Sequence, residues 1–207
     1  MLKRTLVVVP MKDPRQAKSR LGGVLNKDER AALARRLFRL TLTVVSDLRQ
    51  SISFDLAVVT ASAEVSVLAR THGAHVYQDP CQGLNAALAL SASRAAAAGY
   101  ERLGILPADL AAPDPADLAL LLTHQSPGSS VVICPATDGG TNALLVSPPL
   151  GLPFCFGPGS AQAHARVAVE QGLTPICLPL DSLSLDVDTA SDLALATRRT
   201  PELEVLV

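Results

Sequence analysis

"TLVVVPMKDPRQAKSRLGG", residues 5–23, joins an apolar run to a loop crowded with bases. The run is continuous rather than alternating, which suits a strand buried on both faces of a sheet. Similar short runs, each bounded by turn residues, recur at 54–60 (FDLAVVT), 74–78 (AHVYQ), 102–107 (RLGILP), 130–136 (SVVICPA), 142–147 (NALLVS) and 174–179 (TPICLP). Helical patterns fill the gaps at 28–48, 63–71, 83–98, 114–124, 160–171 and 189–198, the first with Asn26 as its cap. Alternation of this kind predicts an α/β fold of three layers, α/β/α, with a mostly parallel sheet covered by helices on both sides. There is no internal repeat, and the loop at 124–130 (HQSPGSS) is too short to divide domains. Residues 1–207 are therefore expected to form a single domain.

Composition narrows the function. Hydrophobic residues make up 48% of the chain and aromatics 3%, so the core must be built from Ala, Val, Leu and Ile. The longest apolar stretches fall short of the ~20 residues a membrane span needs, and the N-terminus does not read as a signal peptide. These features predict a soluble cytoplasmic protein. A net charge of -1 gives no general attraction for nucleic acid or an anionic membrane. Cys81, Cys134, Cys155 and Cys177 are too widely spaced for a C-x-x-C motif, and the four histidines form no H-x-x-x-H pair. Walker A and G-x-G-x-x-G fingerprints are absent.

Charge is nonetheless uneven, since residues 1–39 hold eleven of the eighteen Lys and Arg, including all four lysines. In an open α/β sheet, ligands bind beyond the carboxyl ends of the strands. After the first strand come Pro10, Lys12, Lys18 and Arg20; after the fourth, Asp109 in "PADL"; after the fifth, "TDGGTN"; near the C-terminus, "DVDTASDL" with Asp186 and Asp188. Cations that hold phosphate oxygens and carboxylates that hold Mg²⁺ thus share one edge, which points to phosphate chemistry with a divalent metal. In this reading the basic loop, closed by Gly22 and Gly23, wraps a triphosphate. Asp186 and Asp188 are expected to face opposite sides, one reaching the metal and the other free for structure. Thr189 and Asp192 read as the cap and first-turn acid of the last helix. Gly157, Gly159 and Ser160 precede a helix whose free backbone N–H groups would make an anion site, with His164 one turn on as a second contact. Thr141 and Asn142 sit at the site edge, and Gly83 and Asn85 open a helix where a base or ribose would be contacted.

Six segments, "VVPMKDPRQAKSRL", "QGLNAAL", "ILPADL", "GGTNALLV", "FGPGSAQAH" and "LDVDTASDL", in this order from about residue 5 to 196, resemble the guanylyltransferases of coenzyme F420 biosynthesis, CofC in archaea and FbiD in actinobacteria. Two departures are Ala111, where that family usually has Pro, and "TDGG" before Thr141, in a loop that varies. The resemblance implies a nucleotidyltransferase fold of the GT-A and MobA-like kind. It also implies a reaction, in which GTP and a small phosphorylated acid (2-phospho-L-lactate, phosphoenolpyruvate or 3-phospho-D-glycerate) give a guanylylated diphosphate and pyrophosphate. Carried over by motif, Asp109 and Asp188 would hold Mg²⁺ and Thr141, Gly157 and Ser160 the acceptor. The resemblance leaves a homodimer open and implies a downstream enzyme of F420 synthesis as recipient of the unstable product. Two other readings remain at this point: a GT-A glycosyltransferase using "DVD" at 186–188 as a metal motif, and a GTP-binding regulatory subunit without turnover.

Overall fold

A computed structural model describes residues 4–126 and 128–200, so the outermost parts of the 1–207 range lie outside the described residues. Among these residues seven strands form one sheet: β1 (Thr5–Pro10), β2 (Asp55–Thr60), β3 (His75–Gln78), β4 (Arg102–Ile105), β5 (Ser130–Pro135), β6 (Thr141–Ser147) and β7 (Thr174–Cys177). Among the described residues six α-helices alternate with them: α1 (Lys27–Leu48), α2 (Ala63–Thr71), α3 (Leu84–Ala97), α4 (Pro115–Thr123), α5 (Ser160–Glu170) and α6 (Ala190–Arg199). The strand order is β3-β2-β1-β4-β6-β5-β7. All neighbouring pairs run parallel except those of β6, which is antiparallel to both β4 and β5. The mostly parallel α/β sheet is as expected. The reversal of β6 follows from the short turn at Thr137–Gly140, which leaves no room for the crossover helix that a parallel return requires.

Burial on both faces explains the unbroken apolar runs. In β1, Val7 and Val9 pack with Phe38, Leu42 and Val45 of α1 and with α2 and α4. Leu6 and Val8 point the other way, against Ala87, Leu88 and Ala92 of α3 and Ala168 of α5. These two clusters make the three layers. A third cluster lies at the sheet's edge, where Leu21, Leu25, Leu33 and Leu37 meet Leu185, Val187, Leu193 and Ala196. It seats α6 and the chain before it under the basic loop, and so anchors the functional end of the molecule. Among the described residues no helix is long and apolar enough to cross a membrane.

The chain leaves β1 toward β2 and β3 on one side and returns to β4 on the other. The loops after β1 and β4 therefore diverge around a crevice, the place where such sheets bind ligands. Helix α1, which carries the basic loop's far end, starts with a reciprocal capping box: the Asn26 side chain accepts from the Asp28 and Glu29 N–H groups, and Glu29 accepts from the Asn26 N–H. Replacing Asn26 with Ala is expected to cost about 1 kcal/mol and lower Tm by about 2–4 °C, measured by thermal unfolding. An unchanged Tm would show that the cap does not fix the start of α1.

Candidate active site

Three carboxylates meet at the crevice. Asp109 follows β4, while Asp186 and Asp188 precede α6, and one oxygen from each lies within 4.8 Å of the others. A short backbone ladder joins the two segments: Ala111 N–H donates to the Leu185 carbonyl at 3.0 Å and Val187 N–H to the Asp109 carbonyl at 3.1 Å. Ala111 thus supplies a backbone donor that a proline at this position would lack. The expectation that Asp186 and Asp188 face opposite sides is corrected. Residues two apart on extended chain share a face, so Leu185 and Val187 enter the apolar cluster beneath while both aspartates face the crevice.

Lys18 supplies the countercharge. Its Nζ lies 2.5 Å from Asp109 Oδ2 and 3.0 Å from Asp188 Oδ1, with the residue only 7% exposed. Burial works against the ammonium, but the two carboxylates outweigh it and hold the Lys18 pKa above the ordinary lysine value. The backbone at Lys18 is left-handed, φ 56°, a conformation that costs a residue with a Cβ of order 1 kcal/mol. Arg20, largely exposed, reaches Asp188 Oδ2 at 3.3 Å. Asp186 is braced by Asn142, whose amide nitrogen donates to it at 3.2 Å. Burial first, and then the charge of Asp109, push the Asp186 carboxyl up to about 6. Asp188 is fixed from behind, because Asp192, in its capping box with Thr189, accepts from the Asp188 and Thr189 N–H groups.

Two cavities share this cluster as a common wall. The larger, about 430 Å³, is mostly apolar and is lined by Pro10, Met11, Lys12, Lys18, Gly83 and Leu84, with Asp109 and Asp188 at its inner end. The smaller, about 240 Å³, is lined by Arg20, Thr141, Asn142, Gly157, Ser160 and Asp186, again with Asp109 and Asp188. The structure thus brings together most of the residues singled out in the sequence. Gly159 serves instead as the left-handed N-cap of α5, φ 67°.

Other expectations change. His164 does not contact the cavity: it is fully buried, with Nδ1 3.0 Å from Thr141 Oγ1 and Nε2 accepting from the Cys155 N–H at 2.9 Å. Asn85 is likewise committed to the protein, since its amide accepts from the Phe156 N–H and donates to the Phe156 carbonyl. It ties α3 to the loop that walls the smaller cavity. Two of the N–H groups opening α5 are also committed, because Ser160 N–H donates to the Gly157 carbonyl and Ala161 N–H to the Gly139 carbonyl. Asp79, in the larger cavity, and Asp138, in the smaller, were missed. The strand-end rule applied to β3 would have marked Asp79, and Asp138 stood in a turn read only for its glycines.

Lys18 and the largely exposed Arg20 bring two positive charges to three carboxylates, and the remaining hard oxygen donors fit a hard divalent cation. The cost of the excess charge is testable at Asp186. Its pKa, raised from 3.8 to about 6, means that stability present below about pH 4 is lost as pH rises through about 6. Asp186→Asn is therefore expected to raise Tm by about 2–5 °C at pH 7.5 with chelator present. The gain should shrink as pH falls from 6 toward 4. A lower Tm at pH 7.5 would contradict this electrostatic picture.

Residues 5–196 match the family described as "Guanylyl transferase CofC like". The chain is 40% identical over 192 residues to the 3-phospho-D-glycerate guanylyltransferase of Colwellia psychrerythraea, covering 93% of this chain and 90% of that relative. It is 41% identical over 188 residues to the phosphoenolpyruvate guanylyltransferase of Rubrobacter xylanophilus, covering 90% of each. Among solved structures, a nucleotidyl transferase from Methanothermobacter thermautotroptrophicus superposes with a TM-score of 0.65 at 18% identity over 99% of both chains, a likeness of fold. With a family match that spans nearly its whole length and relatives at this level of identity, the chain belongs to the CofC-like guanylyl transferase family.

Proposed function

We propose that this chain transfers GMP from GTP to a small phosphorylated three-carbon acid, 2-phospho-L-lactate, phosphoenolpyruvate or 3-phospho-D-glycerate, with release of pyrophosphate, and that a downstream enzyme of coenzyme F420 assembly takes the product. The observation that carries this reading is the pair of cavities that meet at Asp109 and Asp188. The larger and more apolar one suits a nucleoside, with Gly83 letting the chain turn closely at its wall and Lys12 and Lys18 at the phosphates. The smaller, with Thr141, Asn142, Gly157 and Ser160, suits a compact anion.

In the proposed reaction, an oxygen of the acceptor phosphate attacks the α-phosphorus of GTP, a new P–O bond forms, and the bond to the β-phosphate oxygen breaks to release pyrophosphate. The attacking phosphate is already mostly a dianion near neutrality, since its second pKa is about 6. No general base is needed, which agrees with a site rich in carboxylates and cations, behind which His164 is buried against Thr141. The obstacle is repulsion between an acceptor of about three negative charges and a triphosphate of about four. Each pair of unit charges 4 Å apart costs ~4 kcal/mol at an effective dielectric near 20, so neutralisation dominates the barrier. Lys18 and Arg20 stand at the junction of the cavities, where that charge accumulates. Asp109, Asp186 and Asp188 would hold Mg²⁺, which when bound supplies further neutralisation of phosphate oxygens.

The test is pyrophosphate release from GTP and Mg²⁺ with each of the three acids in turn and the product identified by mass. Turnover with one acid is expected. Silence with all three, or transfer of a sugar from a nucleotide sugar instead, would overturn the proposal. Arg20→Ala should lower kcat by roughly 100-fold with Tm unchanged, because the side chain is mostly exposed and contributes through charge. Wild-type kinetics in that variant would remove the basic loop from the mechanism.

A further inference from the structure

His164 is a buried imidazole whose two nitrogens are both engaged, and the direction of each bond can be worked out. The Cys155 backbone N–H is an obligatory donor, so Nε2, 2.9 Å away, must accept. The ring is neutral near pH 7, because burial lowers its pKa to about 4. The proton therefore sits on Nδ1 and is donated to Thr141 Oγ1 at 3.0 Å. Thr141 Oγ1 also lies 3.1 Å from Ser160 Oγ. The two hydroxyls have two protons between them: one fills the contact between them, and the other finds no acceptor among the described residues. Both hydroxyls line the smaller cavity.

Resting on the acceptor role given above to that cavity, we propose that His164 is a positioning residue that fixes the Thr141–Ser160 pair as a hydrogen-bond donor aimed at the anionic acceptor. With Nδ1–H feeding the pair, both lone pairs of Thr141 Oγ1 are spent inside the protein, on Nδ1–H and on the Ser160 hydroxyl, and the Thr141 proton is left for the ligand. With the proton on Nε2, the pair would instead have to donate to Nδ1. The imidazole thus directs the Thr141 hydroxyl to donate toward the anion without touching it. It also accepts from the Cys155 N–H, and Phe156 packs edge-on against the ring, centroids 4.8 Å apart.

Two variants separate the two bonds. Asn places an amide donor near the position of Nδ1, and Gln places an amide oxygen near that of Nε2. His164→Asn should keep the acceptor KM within about 3-fold of wild type. His164→Gln should raise it roughly 10- to 100-fold with the GTP KM within about 2-fold, the loss expected when one hydrogen bond to a charged group is removed. Thr141→Val should match His164→Gln, and the double variant should be no worse than either. An unchanged acceptor KM in His164→Gln, or acceptor and GTP KM values that rise together, would overturn the proposal. The imidazole ¹⁵N spectrum of the wild-type chain is an independent reading that needs no substrate: protonated Nδ1 with bare Nε2 upholds the relay, and the reverse tautomer overturns it. A wild-type chain that turned over none of the acids would contradict the guanylyltransferase activity, while that spectrum would still decide the relay.

Discussion

Three carboxylates from two distant parts of the chain, held with one oxygen of each within 4.8 Å, repel one another and need a cation. In this structure Lys18 answers that need, reaching across 91 residues of sequence to Asp109 and 170 to Asp188. Much of the functional end follows from this contact. The loop after β1 folds inward over the crevice and accepts a left-handed residue at Lys18 to do so. Backbone hydrogen bonds between 109–111 and 185–187 keep the acids in register, and the apolar cluster under Leu185 and Val187 absorbs the other face of the same segment. Removing one partner from a buried pair of this kind leaves an uncompensated charge, so the ammonium and the carboxylates stabilise the arrangement only together.

The cluster also divides the site. On one side a mostly apolar cavity runs along α3 and the basic loop; on the other, hydroxyls and an amide face a smaller space. Asn85 links the two sides through both backbone groups of Phe156, so the wall of the smaller cavity is tied to the helix that borders the larger. Lys18 faces the first cavity and Arg20 the second. In the proposed reaction such a division would bring two anions together over a shared charge cluster, with neutralisation built from fixed side chains rather than from solvent.

Sequence reasoning reached the fold because the apolar runs are short, continuous and cleanly separated by amphipathic segments, and because caps such as Asn26 and Thr189 mark helix starts. It reached Lys18, Arg20, Asp109, Thr141 and Ser160 because residues just past the ends of parallel strands, or at helix starts beside them, fall on one edge. It failed where identity depends on contacts remote in sequence. Nothing local says that His164 and Asn85 spend their polar atoms on Cys155, Thr141 and Phe156. The error at Asp186 and Asp188 was one of face, recoverable from the alternation Leu185, Asp186, Val187, Asp188, in which the apolar residues go inward. The antiparallel return of β6 was hidden because its residues are buried on both faces, like those of its parallel neighbours.

The central claim is that donor and acceptor meet at this cluster and react directly, without a nucleotidyl-enzyme intermediate. The most direct measurement is the stereochemical course of transfer from a GTP analogue made chiral at the α-phosphorus by sulfur substitution. A single in-line displacement predicts inversion at that phosphorus. Retention would require two displacements through a covalent intermediate and would contradict the account.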